Sequence, residues 1–315
     1  MPDKSPSPLA SAALAYENPT FINSPEGRII RILSEYSEPL SRFRRERVQD
    51  TVVFFGSARF RALDEACQEL ELLENTGSQQ PAPEEEQPAS EPELEEGTTE
   101  LRRRRAEAAV EMASYYEDAR RLAHMLTEWT RTLKSRRHRF VVTSGGGPGI
   151  MEAANRGARE AGGKTIGLNI KLPFEQAPNP YITPSLNFEF HYFFMRKYWF
   201  AYLAKALVVF PGGFGTLDEM FELLTLAQTQ KLAKKITVVI YGSAYWQSVL
   251  NLDVLVDKGA ISPRDRDLFQ YADTPEEAFA ILKDGLTKNH LTTETPPADS
   301  EDDATLRPEI AKTRR

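Results

Sequence analysis

Three glycine-containing turns are the parts of this sequence best suited to holding a reactive ligand. They read Phe55-Gly56-Ser57-Ala58-Arg59, Ser144-Gly145-Gly146-Gly147-Pro148-Gly149 and Pro211-Gly212-Gly213-Phe214-Gly215-Thr216. Each follows a short apolar run, and the second and third lead into stretches with helical periodicity. Glycines allow the backbone to approach an anion closely, and the free N–H groups and dipole of a helix N-terminus favour phosphate. Two such turns, with a third small turn in the same sheet, predict a phosphorylated ligand.

A carboxylate and two cations accompany these turns. Glu219 lies three residues after Thr216, in the first turn of the predicted helix. The T-x-x-E spacing also fits a capping box, in which the Glu side chain only bonds the Thr backbone. Arg196 and Lys197 are flanked by aromatic residues, so their segment has little polar face on which a merely solvated pair could lie. We interpret all three as functional residues.

The elements that would position these residues are short apolar strands alternating with helices. Strands are predicted at Thr51–Phe55, Phe140–Thr143, Thr165–Leu168, Asn187–Phe190, Ala206–Phe210 and Ile236–Ile240. Each run is apolar on both faces, as expected of strands covered by helices on two sides. We predict an α/β fold with a doubly wound, mostly parallel, Rossmann-like sheet and no separate second domain. In such sheets the ligand lies beyond the carboxyl ends of the strands, where the three turns occur.

Helices are predicted between and around these strands. They are placed at Pro25–Val48, Tyr115–Ser135, Ile150–Ala161, Phe193–Ala204, Leu217–Thr229, Ala244–Asp257 and Pro275–Leu286. The basic residues between Arg131 and Arg139 are interpreted as a solvated helix end.

The rest of the chain is predicted to lack stable structure. Residues 1–20 and 287–315 are rich in small, polar and proline residues, and residues 74–100 form a Glu- and Pro-rich insertion with little to bury. The folded part is then a single domain over residues 21–286 that contains the insertion.

Composition excludes several classes of function. The chain has 315 residues with 39 basic and 46 acidic side chains, a net charge of −7, which gives no global attraction for nucleic acid or membranes. One cysteine and four histidines argue against a disulfide framework and a metal centre. No apolar stretch is long enough to span a bilayer, so we expect a cytoplasmic protein that needs no metal or cofactor.

A dinucleotide-binding enzyme is the obvious rival interpretation. The turn Gly145-Gly146-Gly147-Pro148-Gly149 does not have the G-x-G-x-x-G spacing, and Asn169 stands where a ribose-binding acid would be expected. We therefore do not favour NAD chemistry.

The two longer turns carry a resemblance to a known family. The segments SGGGPGIMEAAN and FPGGFGTLDE, with Arg196-Lys197 between them, resemble the LOG ("lonely guy") family of cytokinin riboside 5′-monophosphate phosphoribohydrolases. The resemblance covers about residues 52–279 apart from the insertion. It implies cleavage of the N-glycosidic bond of nucleoside 5′-monophosphates to free base and ribose 5-phosphate, without metal and as a homodimer. An old lysine decarboxylase label also exists in this family, but no pyridoxal phosphate site is recognisable in the sequence.

The resemblance also assigns roles to residues. Glu219 and Arg196 match the catalytic Glu and Arg of the family, and Lys197 is a second anion contact. The phosphate and substrate contacts are Ser57, Gly146, Gly147, Gly212, Gly213, Gly215 and Thr216, and the positions resembling pocket residues are Glu175 and Thr225.

One departure from the family pattern bears on the substrate. Plant members read M-H-x-R-K where this chain has Phe193-Phe194-Met195-Arg196-Lys197, and the chain resembles bacterial nucleoside 5′-monophosphate nucleosidases more closely. We therefore expect a purine nucleotide such as AMP, with N6-substituted, cytokinin-type adenine nucleotides as an alternative. A different class of function is a carrier: molybdenum cofactor carriers share the fold and turns, and would bind a nucleotide or pterin phosphate without hydrolysis.

Overall fold

The computed structural model describes residue 12 and residues 14–76, 99–173, 177–232 and 234–291. Most of the predicted disordered stretches, residues 1–20, 74–100 and 287–315, lie outside these ranges and stay predictions. Helical turns at Ala15–Glu17 and Thr287–Leu291 fall within two of those stretches, so regular structure extends further at both ends than the sequence suggested.

A parallel sheet forms the centre of the molecule. Among the described residues it has seven strands in the order β4-β3-β2-β1-β5-β6-β7, and every neighbouring pair is parallel. The strands are β1 (Thr51–Phe55), β2 (Val141–Ser144), β3 (Thr165–Ile170), β4 (Asn187–Phe190), β5 (Ala204–Val209), β6 (Thr237–Tyr241) and β7 (Gln270–Ala272). The predicted fold class is confirmed. The sheet is wholly rather than mostly parallel, and the three-residue edge strand β7 was not predicted.

Helices connect the strands and cover both faces of the sheet. They are α1 (Pro19–Ile22), α2 (Arg28–Arg45), α3 (Leu63–Thr76), α4 (Thr99–Arg131), α5 (Ile150–Glu160), α6 (Phe193–Leu203), α7 (Phe214–Gln228), α8 (Ser243–Val249), α9 (Leu252–Asp257) and α10 (Pro275–Leu286).

Three helix predictions need correction. Helix α3 was missed, and its last residues enter the stretch assigned to the insertion. Helix α4 begins sixteen residues before the predicted Tyr115, because its first turns lack a clear apolar period. The helix predicted at Ala244–Asp257 is two helices, since the chain is extended at Leu250 and Asn251 caps α9 through a bond from the Val254 N–H.

Side chains that alternate along the strands pack into two separate hydrophobic cores, one on each face of the sheet. Val52 and Phe54 of β1 pack on one face with α4, α5 and α10, whereas Val53 and Phe55 pack on the other face with α2, α6 and α7. This is the period of two expected of a strand with both faces buried.

The strand order creates the crevice in which a ligand can bind. The chain proceeds from β1 outward to β4, and then returns to the other side of β1 to form β5, β6 and β7. The connections therefore diverge between β1 and β5, and ligands of open α/β sheets bind at the carboxyl ends of the strands at this switch point. The turn after β5 begins at this point, and the turns after β1 and β2 lie beside it.

Candidate active site

Backbone hydrogen bonds join the three predicted turns into one surface. The Ser57 N–H donates to the Pro211 carbonyl at 3.0 Å, and the Ser57 carbonyl accepts the Ile150 N–H at 3.0 Å. The Ser57 side-chain oxygen accepts the Arg59 N–H at 3.1 Å. Ser57 therefore ties the turns after β2 and β5 together, and both of its backbone groups are already used.

The turn after β2 is held by a buried asparagine that the sequence did not single out. Asn179 donates from its backbone and its side chain to the Gly146 carbonyl, at 2.8 and 3.0 Å, and from its side chain to the Gly147 carbonyl at 3.0 Å. The Gly146 N–H donates to the Ser144 hydroxyl at 3.1 Å. Of the two predicted donors in this turn, Gly146 is therefore occupied within the protein, and Gly147 is the better candidate for binding an anion.

Glycines in this turn meet needs of conformation and of space. Gly146 has φ of +79°, which L side chains rarely adopt. At Gly145, an added Cβ would lie 2.5 Å from the Arg196 guanidinium, so the absent side chain makes room for that cation.

The N-terminus of α7 is the most open anion site among the turns. The N–H groups of Phe214, Gly215 and Thr216 belong to the first turn and have no intrahelical acceptor. An added Cβ at Gly213 or Gly215 would meet nothing within 4 Å, so this backbone faces open space.

Charge distinguishes α7 from α5. The first turn of α5 carries its own acid, Glu152, which accepts the Tyr116 hydroxyl at 2.9 Å, whereas the first turn of α7 has no acid. The capping-box interpretation is wrong, because Gly213 precedes the first residue of α7 and no side chain caps the helix. A phosphate is therefore favoured at α7.

Arg196 reaches these turns from α6. Its Nε donates to the carbonyl of Leu168 in β3 at 2.7 Å, and its guanidinium carbon lies 5.0 Å from the centre of the Phe200 ring. One terminal nitrogen lies 3.5 Å from Glu219 Oε1. The guanidinium is thus fixed by one short bond, while its contact with the carboxylate is long.

Glu219 is buried on α7 and opposes this cation. It is 7% exposed, and among the described residues Arg196 is the only donor that reaches its carboxylate. Burial raises the pKa of Glu219 to about 7, although Arg196 and Lys197 act to lower it. Burial likewise lowers the pKa of Arg196, and Glu219 partly offsets this. A carboxylate with a pKa near neutrality is suited to accepting a proton during a reaction.

Lys197 takes a different position from the one predicted. Its ammonium lies 2.8 Å from Asp218 Oδ2 and 2.9 Å from Glu222 Oε2, both on the same helix as Glu219. Those two carboxylates raise the pKa of Lys197 against the opposing effect of burial. We interpret Lys197 as a link between α6 and α7 that orients the pair Arg196 and Glu219.

Only one of the two predicted pocket residues lies in the described part of the chain, and it is not brought to this site. Glu175 lies outside the described residues. Thr225 is exposed on α7, six residues after Glu219 and therefore about 9 Å further along the helix axis, where its carbonyl accepts bonds from Thr229.

A buried polar network beneath the turn after β2 was not found from the sequence. Asn155 accepts the Ser144 hydroxyl at 2.7 Å and the Asn179 amide at 2.9 Å. Asn155 stands at the end of the segment SGGGPGIMEAAN, so the motif itself contained this signal. Asn179 lies between two prolines in a loop, and no pattern linked it to the turn.

Neither a metal site nor a membrane span is found in the described part of the chain. No group of three or more His, Cys, Asp or Glu side chains could hold a metal ion there. None of the helices described is both long and apolar enough to cross a bilayer.

A comparison with known proteins matches the part of the chain that contains the candidate site. A model of the family described as "Possible lysine decarboxylase" matches residues 151–282, which include Arg196, Glu219 and the turn before α7. The chain is 24% identical over 178 residues to cytokinin riboside 5′-monophosphate phosphoribohydrolase LOG2 of Arabidopsis thaliana, covering 56% of this chain and 78% of that protein. It is 29% identical over 174 residues to LOG7 of the same plant, covering 54% and 75%. The chain is therefore distantly similar to the LOG phosphoribohydrolases over about half of its length.

Solved structures are similar as well. The molybdenum cofactor carrier protein of Chlamydomonas reinhardtii aligns with 22% identity and a TM-score of 0.38, over 56% of this chain and 89% of that one.

The decarboxylase name of the matched family model does not suit the lysine at this site. Pyridoxal phosphate chemistry requires a lysine amine that can form a Schiff base. Lys197 is instead held between two carboxylates. The glycine-containing turns and the Arg196–Glu219 pair are the features that a function must explain.

Proposed function

We propose that this protein hydrolyses the N-glycosidic bond of purine nucleoside 5′-monophosphates, releasing the free base and ribose 5-phosphate. The observation that carries the proposal is the buried, loosely paired Glu219 in the second turn of a helix whose N-terminus is open to an anion. Homology to the LOG phosphoribohydrolases supports the same class of reaction.

The arrangement supplies a phosphate anchor. The N–H groups of Gly215 and Thr216 and the dipole of α7 would bind the 5′-phosphate, with Gly147 contributing from the neighbouring turn. The anchor would place the sugar of the nucleotide toward Glu219, which lies one turn further along α7.

Cleavage of a ribosyl C–N bond passes through an oxocarbenium-like state, as glycoside hydrolysis does. An ionised Glu219 would stabilise the positive charge that develops at C1′ and would accept a proton from the attacking water. Arg196 would hold Glu219 in place and could donate from its free edge to the phosphate or to the departing base. Water supplies the hydroxyl that forms on C1′, and its proton passes through Glu219 to solvent or to the base.

The proposal also includes a homodimer of this chain. The starts of α6 and α7 expose three aromatic rings, Phe193 and Phe194 at 54% each and Phe214 at 93%. Uncovered apolar surface of this kind marks an interaction site. We expect a homodimer, which light scattering on the purified chain would establish.

The test is incubation of the chain with a panel of nucleoside 5′-monophosphates, including AMP and N6-isopentenyl-AMP, with chromatography of the products. We expect equimolar free base and ribose 5-phosphate from at least one purine nucleotide. Tight nucleotide binding with no base released from the whole panel would contradict hydrolysis and favour a carrier.

A further inference from the structure

A charged cavity lies at the edge of the sheet opposite the candidate active site. It encloses about 260 Å³ between the C-terminal end of α4, the start of β2 and the residues just before β3. Strand β2 has four residues at about 3.3 Å each, so the cavity and the turn after β2 are separated by about 13 Å of strand. A ligand in the cavity would not occupy the space beside Glu219.

Cations dominate the lining of this cavity. Arg131, Arg137, Arg139 and Lys164 contribute four permanent positive charges. Two carboxylates oppose them: Asp50 lies 2.7 Å from Arg139, and Glu46 lies 2.9 Å from Lys164. The remaining charge is +2, in a chain whose net charge is −7.

Two of the cations keep their charge available to a ligand. Arg131 donates to the Ala161 carbonyl, which is a neutral acceptor, so its charge is not cancelled. Arg137 is half-buried, and no carboxylate among the described residues pairs with it. Burial and the field of Lys164 lower the pKa of His138, so its ring is neutral near pH 7 and can also hydrogen-bond a ligand.

We propose that this cavity binds a small phosphorylated molecule. A phosphate monoester carries a charge of about −1.5 to −2 at pH 7, which matches the charge left unopposed in the lining. Guanidinium groups suit phosphate because their planar forks donate to two oxygens at once. Pockets for drug-sized ligands have volumes of about 300–1,000 Å³, and this cavity is smaller. It therefore suits a phosphate on a small carbon skeleton rather than a nucleotide.

The loop before β2 supplies a matched pair of variants for the test. Arg136 and Arg137 are adjacent and carry the same charge, but only Arg137 lines the cavity, and Arg136 is exposed. Arg136→Ala and Arg137→Ala therefore change the net charge equally. They differ in whether the lost guanidinium faces the cavity.

The experiment is isothermal titration of the full chain and both variants with inorganic phosphate at pH 8 and low salt, with thermal melting to confirm the fold. We expect two phosphate sites in the wild-type chain and in Arg136→Ala. In Arg137→Ala one site should weaken by about tenfold, the effect of one charge-assisted bond. Phosphate bound at α7 should be equal in all three chains, so the difference between the variants does not depend on the proposed hydrolysis.

Two results would overturn the proposal. Equal binding by all three chains would show that the cavity holds no phosphate. Equal weakening in both variants, together with salt-sensitive binding of a single-stranded dodecanucleotide that both substitutions also weaken, would identify a diffuse surface for nucleic acid instead.

Discussion

The two edges of the sheet each contain a buried pair of an arginine and a carboxylate, and the two pairs are built differently. At the amino-terminal edge, Arg139 Nε lies 2.7 Å from Asp50, and the Phe140 N–H donates 2.6 Å to the other carboxylate oxygen. At the carboxyl-terminal edge, Arg196 and Glu219 are 3.5 Å apart, and no second donor among the described residues reaches Glu219.

From this difference we interpret the Arg139–Asp50 pair as structural and the Arg196–Glu219 pair as functional. Asp50 accepts a short bond on each of its oxygens from groups of the protein itself, so we interpret it as a structural residue. A buried carboxylate with one long contact is costly to keep in a protein. Its position beside an open helix N-terminus indicates that Glu219 is retained for chemistry.

The largest effect should come from Glu219→Gln. Removing the carboxylate charge while keeping its shape should lower base release by about 10²–10⁴-fold, the usual contribution of a general base. The matched control is Glu222→Gln, the same change three residues later on α7, where the side chain pairs with Lys197. We expect Glu222→Gln to retain activity within about fivefold, and equal losses in both variants would count against Glu219 as the base.

Asp50→Asn should show the opposite behaviour. The substitution removes the carboxylate charge that opposes the buried Arg139 guanidinium, which should lower the free energy of unfolding by about 3–5 kcal/mol. Denaturant titration measures this loss, and the activity per folded molecule should stay unchanged. A stable Asp50→Asn variant with impaired base release would contradict the assignment of Asp50 to a structural role and of Glu219 to a catalytic one.

The pH dependence should follow Glu219. Its pKa is raised to about 7, and the ionised form is the active base, so activity should fall as the pH drops through 7. The expected loss is about tenfold per pH unit below the pKa. The readout is kcat/KM for AMP between pH 5 and 9, and a profile that is flat from pH 5 to 7 would contradict the assignment.

Glu219→Gln should also raise stability at high pH. The folded pKa of about 7 exceeds the ordinary value of 4.5, so the folded state holds this proton more tightly than the unfolded state does. Stability contributed by the proton is present below pH 4.5 and is lost as the pH rises to 7. Above pH 7 the wild-type chain should therefore be less stable than Glu219→Gln, by up to about 3 kcal/mol, and the two should converge in acid melts.

The smallest effect is expected from Arg137→Ala on base release. The cavity at the amino-terminal edge is separated from Glu219 by the length of β2, so saturating activity without added phosphate should change by less than about twofold. Initial rates for Arg137→Ala and Arg136→Ala, measured side by side, test this independence. A large loss confined to Arg137→Ala would mean that the two edges are coupled.

The sequence predicted the sheet and most of the candidate site because both follow local rules. Apolar runs such as Thr51–Phe55 have one structural solution when both faces are buried, and glycine turns after such strands must lie at one edge of a parallel sheet. Strand β7 was not predicted because three residues are too few to show an alternating period. Helix α3 was not predicted because its acidic composition continues into the stretch assigned to the insertion.

The remaining features depend on contacts between distant segments. Asn179 binds the turn after β2 from a loop 32 residues away, and Lys197 turns toward Asp218 and Glu222 because α6 packs beside α7. The basic residues from Arg131 to Arg139 were interpreted as a solvated helix end. In the fold Arg139 is buried against Asp50, and Arg131 and Arg137 face a cavity that also includes Lys164. No sequence period encodes such pairings.

The measurement that tests the central claim most directly is base release from AMP compared with adenosine, at equal concentrations and pH 8. These substrates differ only in the 5′-phosphate that the N-terminus of α7 is proposed to bind. We predict that kcat/KM for AMP exceeds that for adenosine by at least about 10³-fold, since binding energy of the phosphate would align C1′ with Glu219. Equal rates for the two substrates, or no base from either, would contradict the account.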